Sequence, residues 1–561
     1  MLRRAAWIML WLVCPIGSAA AEDWAAATVH PLANEAAAAA MAEGGNAIDG
    51  AVAAAVTLGV VDGHNSGLGG GCLILIRTAD GRVAAIDGRE TAPAAAHRDL
   101  YVRDGRADTD ASQIGALASG VPGALAAYDL AQRKFGKLEL ADVMLPAAEI
   151  AERGFPLSPL GAKQLAGVAD VMQEFDASRA IFLHPDGSPL EAGERLVQKD
   201  LAQTLRAIAE HGSDWFYRGP FAERCADWMQ THGGIMTADD LARYRPVVRQ
   251  PIKSSYRGHT IFGFPPPSSG GIHVAQILNI LEHFDLAALA PAERAHVTVE
   301  AMKLAFADRA FWLGDSDFVP APRGLIDAQY AARLARRIDL QQATAVPQHG
   351  EPPRAASDFF GNQHTTHFSV ADDEGNWVAV TATINTSFGS KVVIPGTGIV
   401  MNNEMDDFSV QPGVPNAFGL VGAEANSVAA NKRPLSSMSP TIVLDAEGHV
   451  VLACGAAGGP TIISQVVQTM INHIDLKMPL DEAIAAPRLH HQWKPDVVKV
   501  ERRMPDEILA GLRARGHQLD RTARIGYCQA VGVASHGAKI AIRDPRLGKA
   551  QSRERRAESR N

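Results

Sequence analysis

Two threonines that a predicted β-hairpin brings side by side are the residues best placed for chemistry. The stretches 367–371 and 377–383 alternate in side-chain character around a turn rich in Asp, Gly and Asn, which predicts two antiparallel strands. If Ala371 pairs with Trp377, then Thr365 lies opposite Thr383, because paired positions in an antiparallel hairpin keep a constant sum. The pattern therefore offers a candidate nucleophile with a second hydroxyl beside it.

The chain directly before Thr365 also suits a reactive terminus. Residues 341–363 are polar and rich in Pro, Gly and Ala, which predicts an exposed loop of the kind where chains are cut. However, threonine favours strands, and cross-strand threonine pairs stabilise sheets. Taken alone, the spacing therefore favours ordinary strand threonines over a nucleophile.

A second predicted hairpin brings hydroxyls and backbone amides to one end. Pairing Leu444 with His449 across the turn 445–448 sets the serine-rich loop 434–440 against the glycine-rich segment 455–459. The glycines precede a predicted helix, so their N–H groups can point at a developing oxyanion. A plain glycine loop that joins a strand to a helix explains the same pattern.

Other common catalytic and cofactor motifs are missing from the sequence. It contains no GxSxG elbow, HExxH, Walker A or EF-hand loop. The glycine run in 65–71 leads into a predicted strand, whereas a dinucleotide fingerprint needs a helix there. The pair His490–His491 lacks partners for a metal. Neither a metal nor an organic cofactor is expected.

Composition and the N-terminus indicate a secreted globular protein. The 561 residues are 47% hydrophobic, and the net charge of −9 argues against nucleic acid as a partner. Two arginines, a short apolar run and small residues make 1–21 typical of a signal peptide, so we expect a periplasmic or secreted protein with no other membrane span. We expect the tail 549–561 to be frayed. Without CxxC spacing, the four later cysteines are expected to be buried small hydrophobes.

Several motifs, in order along nearly the whole mature chain, resemble those of the gamma-glutamyltransferases (glutathione hydrolases). The matching segments are Ser66–Gly71, Arg89–Pro93, Pro265–Gly271, Thr365–Ser369, Asn385–Gly389, Asn402–Phe408, Pro434–Pro440 and Gly458–Gly459. Each segment is short, but their joint order and spacing are specific.

The resemblance implies an α+β fold, a four-layer αββα sandwich of the N-terminal nucleophile hydrolase type. It also implies a proenzyme that cuts itself between His364 and Thr365. The fragments 22–364 and 365–561 would then remain together as a heterodimer of large and small subunits. The new α-amine of Thr365 could serve as the base for its own hydroxyl.

The same resemblance assigns a role to each site residue. Thr365 attacks the γ-amide of glutathione or a related γ-glutamyl compound, and the acyl group passes to water or to an amino acid or peptide. The remaining roles are support of the nucleophile by Thr383, an oxyanion hole from Gly458 and Gly459, α-carboxylate binding by Arg89, Ser436 and Ser437, and α-amine binding by Asn385, Glu404 and Asp407.

Three positions qualify the match to the family. Glu404 stands where some members have Gln, and Pro460 follows the oxyanion glycines where some have Ser. The segment 409–426, with Phe418 at its aromatic position, resembles the lid loop of bacterial members. A gated pocket is therefore expected.

Two other functions stay open at this point. A cephalosporin (glutaryl) acylase uses the same scaffold, but a glutaryl group has no α-amine and needs no Asp407. A non-catalytic periplasmic binding protein would keep Arg89 and Asp407 without using the threonines and the oxyanion glycines.

Overall fold

Two six-stranded antiparallel sheets form the centre of the protein. The structure, a computed structural model, describes residues 24–353, 366–534 and 537–548. The predicted signal peptide, the cut between His364 and Thr365, and the predicted tail 549–561 lie outside these residues.

The first sheet has the order β1-β7-β8-β2-β3-β4 and the second has the order β12-β11-β10-β9-β6-β5. Their strands, in chain order, are β1 Ala25–Ala27, β2 Gly71–Arg77, β3 Val83–Gly88, β4 Val247–Arg249, β5 Ile252–Tyr256, β6 His259–Gly263, β7 His367–Ala371, β8 Trp377–Thr383, β9 Thr441–Leu444, β10 Val450–Ala457, β11 Tyr527–Val533 and β12 Lys539–Ile542. Shorter strands outside these sheets are Val102–Arg103, Arg106–Ala107, Phe155–Pro156, Arg195–Leu196, Leu489–His490, Val498–Glu501 and Leu519–Thr522.

Helices cover the outer face of each sheet. The main helices are α1 Pro31–Ala42, α2 Ala47–Val61, α3 Ala124–Phe135 and α4 Leu140–Arg153 on the first sheet, and α5 Gly270–Leu281, α6 Pro291–Trp312 and α7 Thr461–Met470 on the second. Further helices are Thr109–Gln113, Pro159–Ala166, Ala169–Met172, Asp176–Phe182, Lys199–His211, Asp214–Tyr217, Pro220–Thr231, Ala238–Arg243, Ala328–Ala335, Leu480–Ala485 and Asp506–Ala514.

Alternate side chains of one strand serve two different cores. In β2, Ile74 and Ile76 pack against the helices, whereas Leu73 and Leu75 pack between the sheets. Both faces of the sheet are thus withdrawn from water, which is why the strand reads as a nearly continuous apolar run. The layers follow the order helix, sheet, sheet, helix, and the predicted αββα sandwich is confirmed.

The first predicted hairpin has the predicted register. Ala371 pairs with Trp377, and the ladder runs on to His367 opposite Thr381. Strand β8 also pairs with β2, which places Thr383 beside Gly71. The hairpin therefore occupies the middle of the first sheet.

The predicted register of the second hairpin is wrong. Leu444 pairs with Val450 instead of His449, and a bulge between Val443 and Leu444 shifts the pairing again. The turn closes one position later because the N–H of Asp445 donates to the carbonyl of His449 (2.9 Å). The ladder continues to Thr441 opposite Cys454, and in the serine loop before it Ser436 forms a bridge with Ser268.

Other features agree with the sequence. All four described cysteines are buried and free, as expected. Among the described residues, no helix has both the length and the apolar character needed to cross a bilayer.

Packing between the sheets predicts a clear difference between two Leu→Ala substitutions. Leu75 is fully buried there, and its truncation should destabilise the fold by about 2–5 kcal/mol through lost contacts and a residual cavity. Leu145, on helix α4, is 43% exposed, so the same change should cost under about 0.5 kcal/mol. Thermal unfolding checks this. Equal shifts in Tm would contradict the described packing.

Candidate active site

The end of the first hairpin holds one of the predicted threonines. Thr383 is fully buried, and its Oγ1 accepts a hydrogen bond from the N–H of Asn385 (2.6 Å). The N–H of Ala382 donates to the carbonyl of Thr366, which extends the hairpin by one position. Thr365 and His364 lie outside the described residues. The placement of Thr365 opposite Thr383 therefore stays a prediction.

Close backbone contact explains the glycine run that precedes β2. A Cβ atom on Gly70 would lie 1.8 Å from the carbonyl oxygen of Thr383, and one on Gly69 would lie 2.1 Å from that of Val400. Only glycine permits this approach. The run thus packs the backbone beside Thr383.

A buried cluster of charges gathers around Arg89, which follows strand β3. Its Nη2 lies 2.9 Å from Asp407 Oδ2, its Nη1 lies 3.2 Å from Glu90 Oε2, and Nη1 also contacts Glu404 Oε1. The Arg89, Glu90 and Glu404 side chains are fully buried, and that of Asp407 is nearly so. One guanidinium thus faces three carboxyl groups.

The turn that carries two of these carboxyl groups is tightly anchored. A 3-10 helix spans Glu404–Asp407, and Asn402 precedes it. The Asn402 side chain donates to the carbonyls of Gly69 and Gly120 (both 2.8 Å) and accepts from the N–H of Glu404 (3.0 Å). The acidic turn is therefore fixed against the glycine run beside Thr383.

Burial changes the protonation of the carboxyl groups in the cluster. It raises the pKa of Asp407 and of Glu90 well above the usual range, while the Arg89 guanidinium opposes the rise and Glu404 adds to it. Burial also raises the pKa of Glu404, again against the effect of Arg89. The three carboxyl groups outnumber the single guanidinium, so the cluster is suited to accept a further cation.

Asn385 supplies a neutral acceptor near this turn. It has a left-handed backbone (φ 75°), and its Nδ2 donates to the carbonyl of Asn403 (2.9 Å). Its Oδ1 is buried and accepts no hydrogen bond from any residue that the structure describes. A buried acceptor without a donor fits a ligand that brings N–H groups, such as an ammonium.

The two predicted serines lie on a loop held by the proline-rich segment before helix α5. The N–H of Ser436 donates to the carbonyl of Pro267 (3.1 Å), and its own carbonyl accepts from the N–H of Ser269 (2.9 Å). A Cβ atom on Gly270 would lie 2.0 Å from the carbonyl of Met438, so this segment also needs its glycine.

Arg309, on helix α6, completes this part of the site and was not identified from the sequence. Its Nη2 donates to Ser437 Oγ and to the carbonyl of Ser436 (both 3.3 Å), and its Nε donates to Ser269 Oγ (2.9 Å). It also lines a small cavity together with Asp407. In the sequence, the feature that could have pointed to Arg309 is its position as a basic residue two places after the apolar stretch 304–307.

The two predicted oxyanion glycines directly precede helix α7. Gly458 and Gly459 have positive φ values of 130° and 57°, and the helix begins at Thr461. Within the described parts of the chain, no acceptor takes either N–H. This geometry leaves two backbone donors at a helix N-terminus, where an anion is favoured.

The segment resembling a lid lies between these glycines and the acidic turn. The ring of Phe418 packs on Gly459, where an added Cβ would lie 2.7 Å from it. Asn416 Nδ2 donates to Asp407 Oδ1 (3.3 Å), and the N–H of Ala417 donates to Asp406 Oδ2 (2.9 Å). The loop thus links the glycine amides to the charge cluster.

The histidine pair of the sequence is engaged in hydrogen bonds. His490 Nδ1 lies 2.7 Å from Ser464 Oγ, and His491 Nε2 lies 3.0 Å from Asp496 Oδ1.

A second buried group has the residue types of a metal site: His296, Glu300 and His517. His296 Nδ1 lies 2.7 Å from His517 Nε2, and the Lys303 ammonium lies 3.1 Å from Glu300 Oε1. These side chains thus contact one another and Lys303 directly, through a hydrogen bond between the two histidines and an ion pair at Glu300.

Comparison with known proteins identifies the family. The gamma-glutamyltranspeptidase family model matches residues 33–553. The chain is 45% identical over 509 residues to the glutathione hydrolase proenzyme of Escherichia coli, which covers 90% of this chain and 87% of that protein. It is 40% identical over 512 residues to the acylase ACY 1 proenzyme of a Pseudomonas species, with 89% and 87% covered.

Solved structures give the same result. The cephalosporin acylase of Bacillus halodurans matches with a TM-score of 0.83 and 29% identity, covering 96% of this chain and 98% of that one. The gamma-glutamyltranspeptidase of Helicobacter pylori matches with a TM-score of 0.55 and 38% identity, covering 57% of this chain and 92% of that one.

The αββα layers, the family match and these relatives agree with one another. The chain belongs to the gamma-glutamyltranspeptidase family and is an enzyme with hydrolase or transferase activity.

Proposed function

We propose that the protein is a gamma-glutamyltransferase and glutathione hydrolase that takes γ-glutamyl amides as donors. The observation that carries this proposal is the buried Arg89–Asp407 ion pair, with Glu404 beside it. The α-carbon of a γ-glutamyl group bears one carboxylate and one ammonium. The carboxylate is opposite in charge to Arg89, and the ammonium is opposite in charge to Asp407.

Binding of the donor is an exchange of partners. The α-carboxylate takes the place of Asp407 at Arg89, with hydroxyls from Ser436 and Ser437, and the ammonium takes the place of Arg89 at Asp407. Each buried charge keeps an opposite partner throughout, which avoids the several kcal/mol lost when a buried pair is broken from one side. Glu404 and the unpaired Asn385 Oδ1 accept the other ammonium hydrogens.

The chemistry then begins at Thr365. Self-cleavage after His364 gives this residue a free α-amine, whose pKa of about 8 lets it take the proton of the Thr365 hydroxyl near neutral pH. The hydroxyl oxygen attacks the γ-carbonyl, and Thr383 holds it in place. The amides of Gly458 and Gly459 stabilise the oxyanion, each contributing about 3–4 kcal/mol.

The reaction ends by acyl transfer. As the tetrahedral intermediate collapses, the protonated α-amine of Thr365 gives its proton to the departing amine, and the γ-glutamyl group remains on Thr365 as an ester. Water, an amino acid or a peptide amine then attacks this ester. None of these steps requires a cofactor.

Strand pairing supports a stable heterodimer after the cut. In the first sheet, β7 and β8 from the small fragment lie between β1 and β2 from the large fragment. In the second sheet, β9 from the small fragment pairs with β6 from the large one. In the described residues, three hydrogen-bonded ladders thus join the large fragment to the small one. The signal-like residues 1–21 support export of the protein to the periplasm or the medium.

An acylase that removes glutaryl groups is the nearest alternative, since acylases are among the relatives. A glutaryl group carries the carboxylate but lacks the ammonium. Such a donor would leave Asp407 and Glu404 without a cation once the carboxylate had taken Arg89. The acidic side of the cluster therefore favours γ-glutamyl donors.

Donor preference tests this proposal. The wild type should turn over γ-glutamyl-p-nitroanilide with a higher kcat/KM than glutaryl-p-nitroanilide. Asp407→Asn should reduce that ratio about 100-fold, because the buried ammonium loses its charged partner. Asp315→Asn is the matched control, since Asp315 is also buried but accepts from the N–H of Arg433 (2.8 Å). A wild type that prefers the glutaryl donor would establish the acylase instead.

The raised pKa of Asp407 predicts how donor binding depends on pH. Below that pKa the carboxyl is protonated and cannot pair with an ammonium, so KM for γ-glutamyl-p-nitroanilide should fall as the pH rises through it. The limiting slope is about tenfold per pH unit for one proton. Steady-state assays across the pH range in which the protein stays folded check this slope.

Asp407→Asn is the control for the pH experiment, because it removes the titrating group. Its KM should change much less across the same range. An equal slope in the wild type and in Asp407→Asn would assign the titration to another group.

A further inference from the structure

A second arginine lies beside the donor pocket, and no family motif quoted above includes it. Arg309 is 4% exposed and belongs to helix α6. Within the described parts of the chain it makes three hydrogen bonds, all to neutral oxygens, on Ser269, Ser436 and Ser437. A buried guanidinium that donates only to neutral oxygens keeps its full charge available to an anion.

The charges around Arg309 differ from those around Arg89. Arg89 contacts three carboxyl groups, whereas Arg309 has no hydrogen bond to a carboxylate among the residues that the structure describes. Burial lowers the pKa of Arg309 to about 10, and Asp407 opposes that change. The side chain is therefore protonated at neutral pH, and its charge acts on the cavity that Asp407 also lines.

This arrangement answers an electrostatic problem in the proposed binding mode. An α-carboxylate that approaches Arg89 also meets the carboxyl oxygens of Glu90 and Glu404, which disfavour a third carboxyl group in its charged form. Arg309 offsets that effect from the side of the serine loop. Its Nη2 also fixes the hydroxyl of Ser437, which the proposed function places on the same carboxylate.

We propose that Arg309 is a positioning residue for recognition of the donor α-carboxylate, acting through Ser437 and through its own charge. The inference rests on the proposed function, because it names a further determinant of the same site. It adds Arg309 to Arg89 as a determinant of carboxylate recognition in the large fragment, beside the two serines of the small fragment.

Three p-nitroanilide donors separate this role from a structural one. The γ-glutamyl donor has both α-substituents, the glutaryl donor has only the carboxylate, and the 4-aminobutanoyl donor has only the amine. Replacement of Arg309 should weaken binding of the first two donors and leave binding of the third nearly unchanged. A general loss of structure would affect all three.

For Arg309→Met, we expect KM for γ-glutamyl-p-nitroanilide to rise about 30-fold with kcat within about threefold of the wild type, because a charge-assisted contact is lost in binding. The glutaryl donor should show the same rise, and the 4-aminobutanoyl donor a change under about threefold. Arg309→Lys should recover part of the loss, since it keeps the charge but cannot reach both serine oxygens.

A second variant tests the proposal even if Arg309→Met does not fold. Ser269→Ala removes the acceptor of Arg309 Nε and the hydrogen bond from Ser269 Oγ to the carbonyl of Ser436, and it should raise KM a few-fold for the two carboxylate-bearing donors alone. The proposal is overturned if KM for these donors stays unchanged in Arg309→Lys and Ser269→Ala, or if all three donors lose kcat/KM equally. Failure of the wild type to turn over the γ-glutamyl donor would instead overturn the proposed function.

Discussion

Burial of the Arg89 guanidinium with three carboxyl groups is the constraint on which the rest of the site depends. Charges removed from water are tolerated only with partners in fixed positions, so each member of the cluster must come from a rigid element. The end of β3 supplies Arg89 and Glu90, and an anchored 3-10 turn supplies Glu404 and Asp407. The glycine run holds that turn beside Thr383. Donor recognition and the proposed nucleophile therefore share one scaffold.

The sandwich explains how a chain that is to be cut in two can hold such a cluster. Arg89 precedes the predicted cut, whereas Glu404 and Asp407 follow it. In the first sheet the small-fragment hairpin β7–β8 lies between strands of the large fragment, and both faces of that sheet are buried. Cleavage of one loop would remove none of these ladders. The buried charges can thus stay in register while a new terminus is made.

Local sequence patterns predict the structure correctly where they determine the geometry. The Ala371–Trp377 pairing followed from two alternating strands and a turn, and the structure confirms it. The Leu444–His449 pairing was wrong, because one bulge shifts a register and leaves no clear mark in the sequence. The Arg89–Asp407 contact joins residues 318 positions apart, so spacing alone could not reveal it. Arg309 was missed because burial, which gives this basic residue its importance, depends on tertiary packing.

The account as a whole depends on Thr365 as both the cut site and the nucleophile. N-terminal sequencing of the smaller fragment, in the wild type and in Thr365→Ala, tests both roles in one measurement. We predict that the wild-type fragment begins at Thr365 and that Thr365→Ala remains a single, inactive chain. A fragment that begins at Thr366, or a Thr365→Ala protein that is cut and active, would contradict the account.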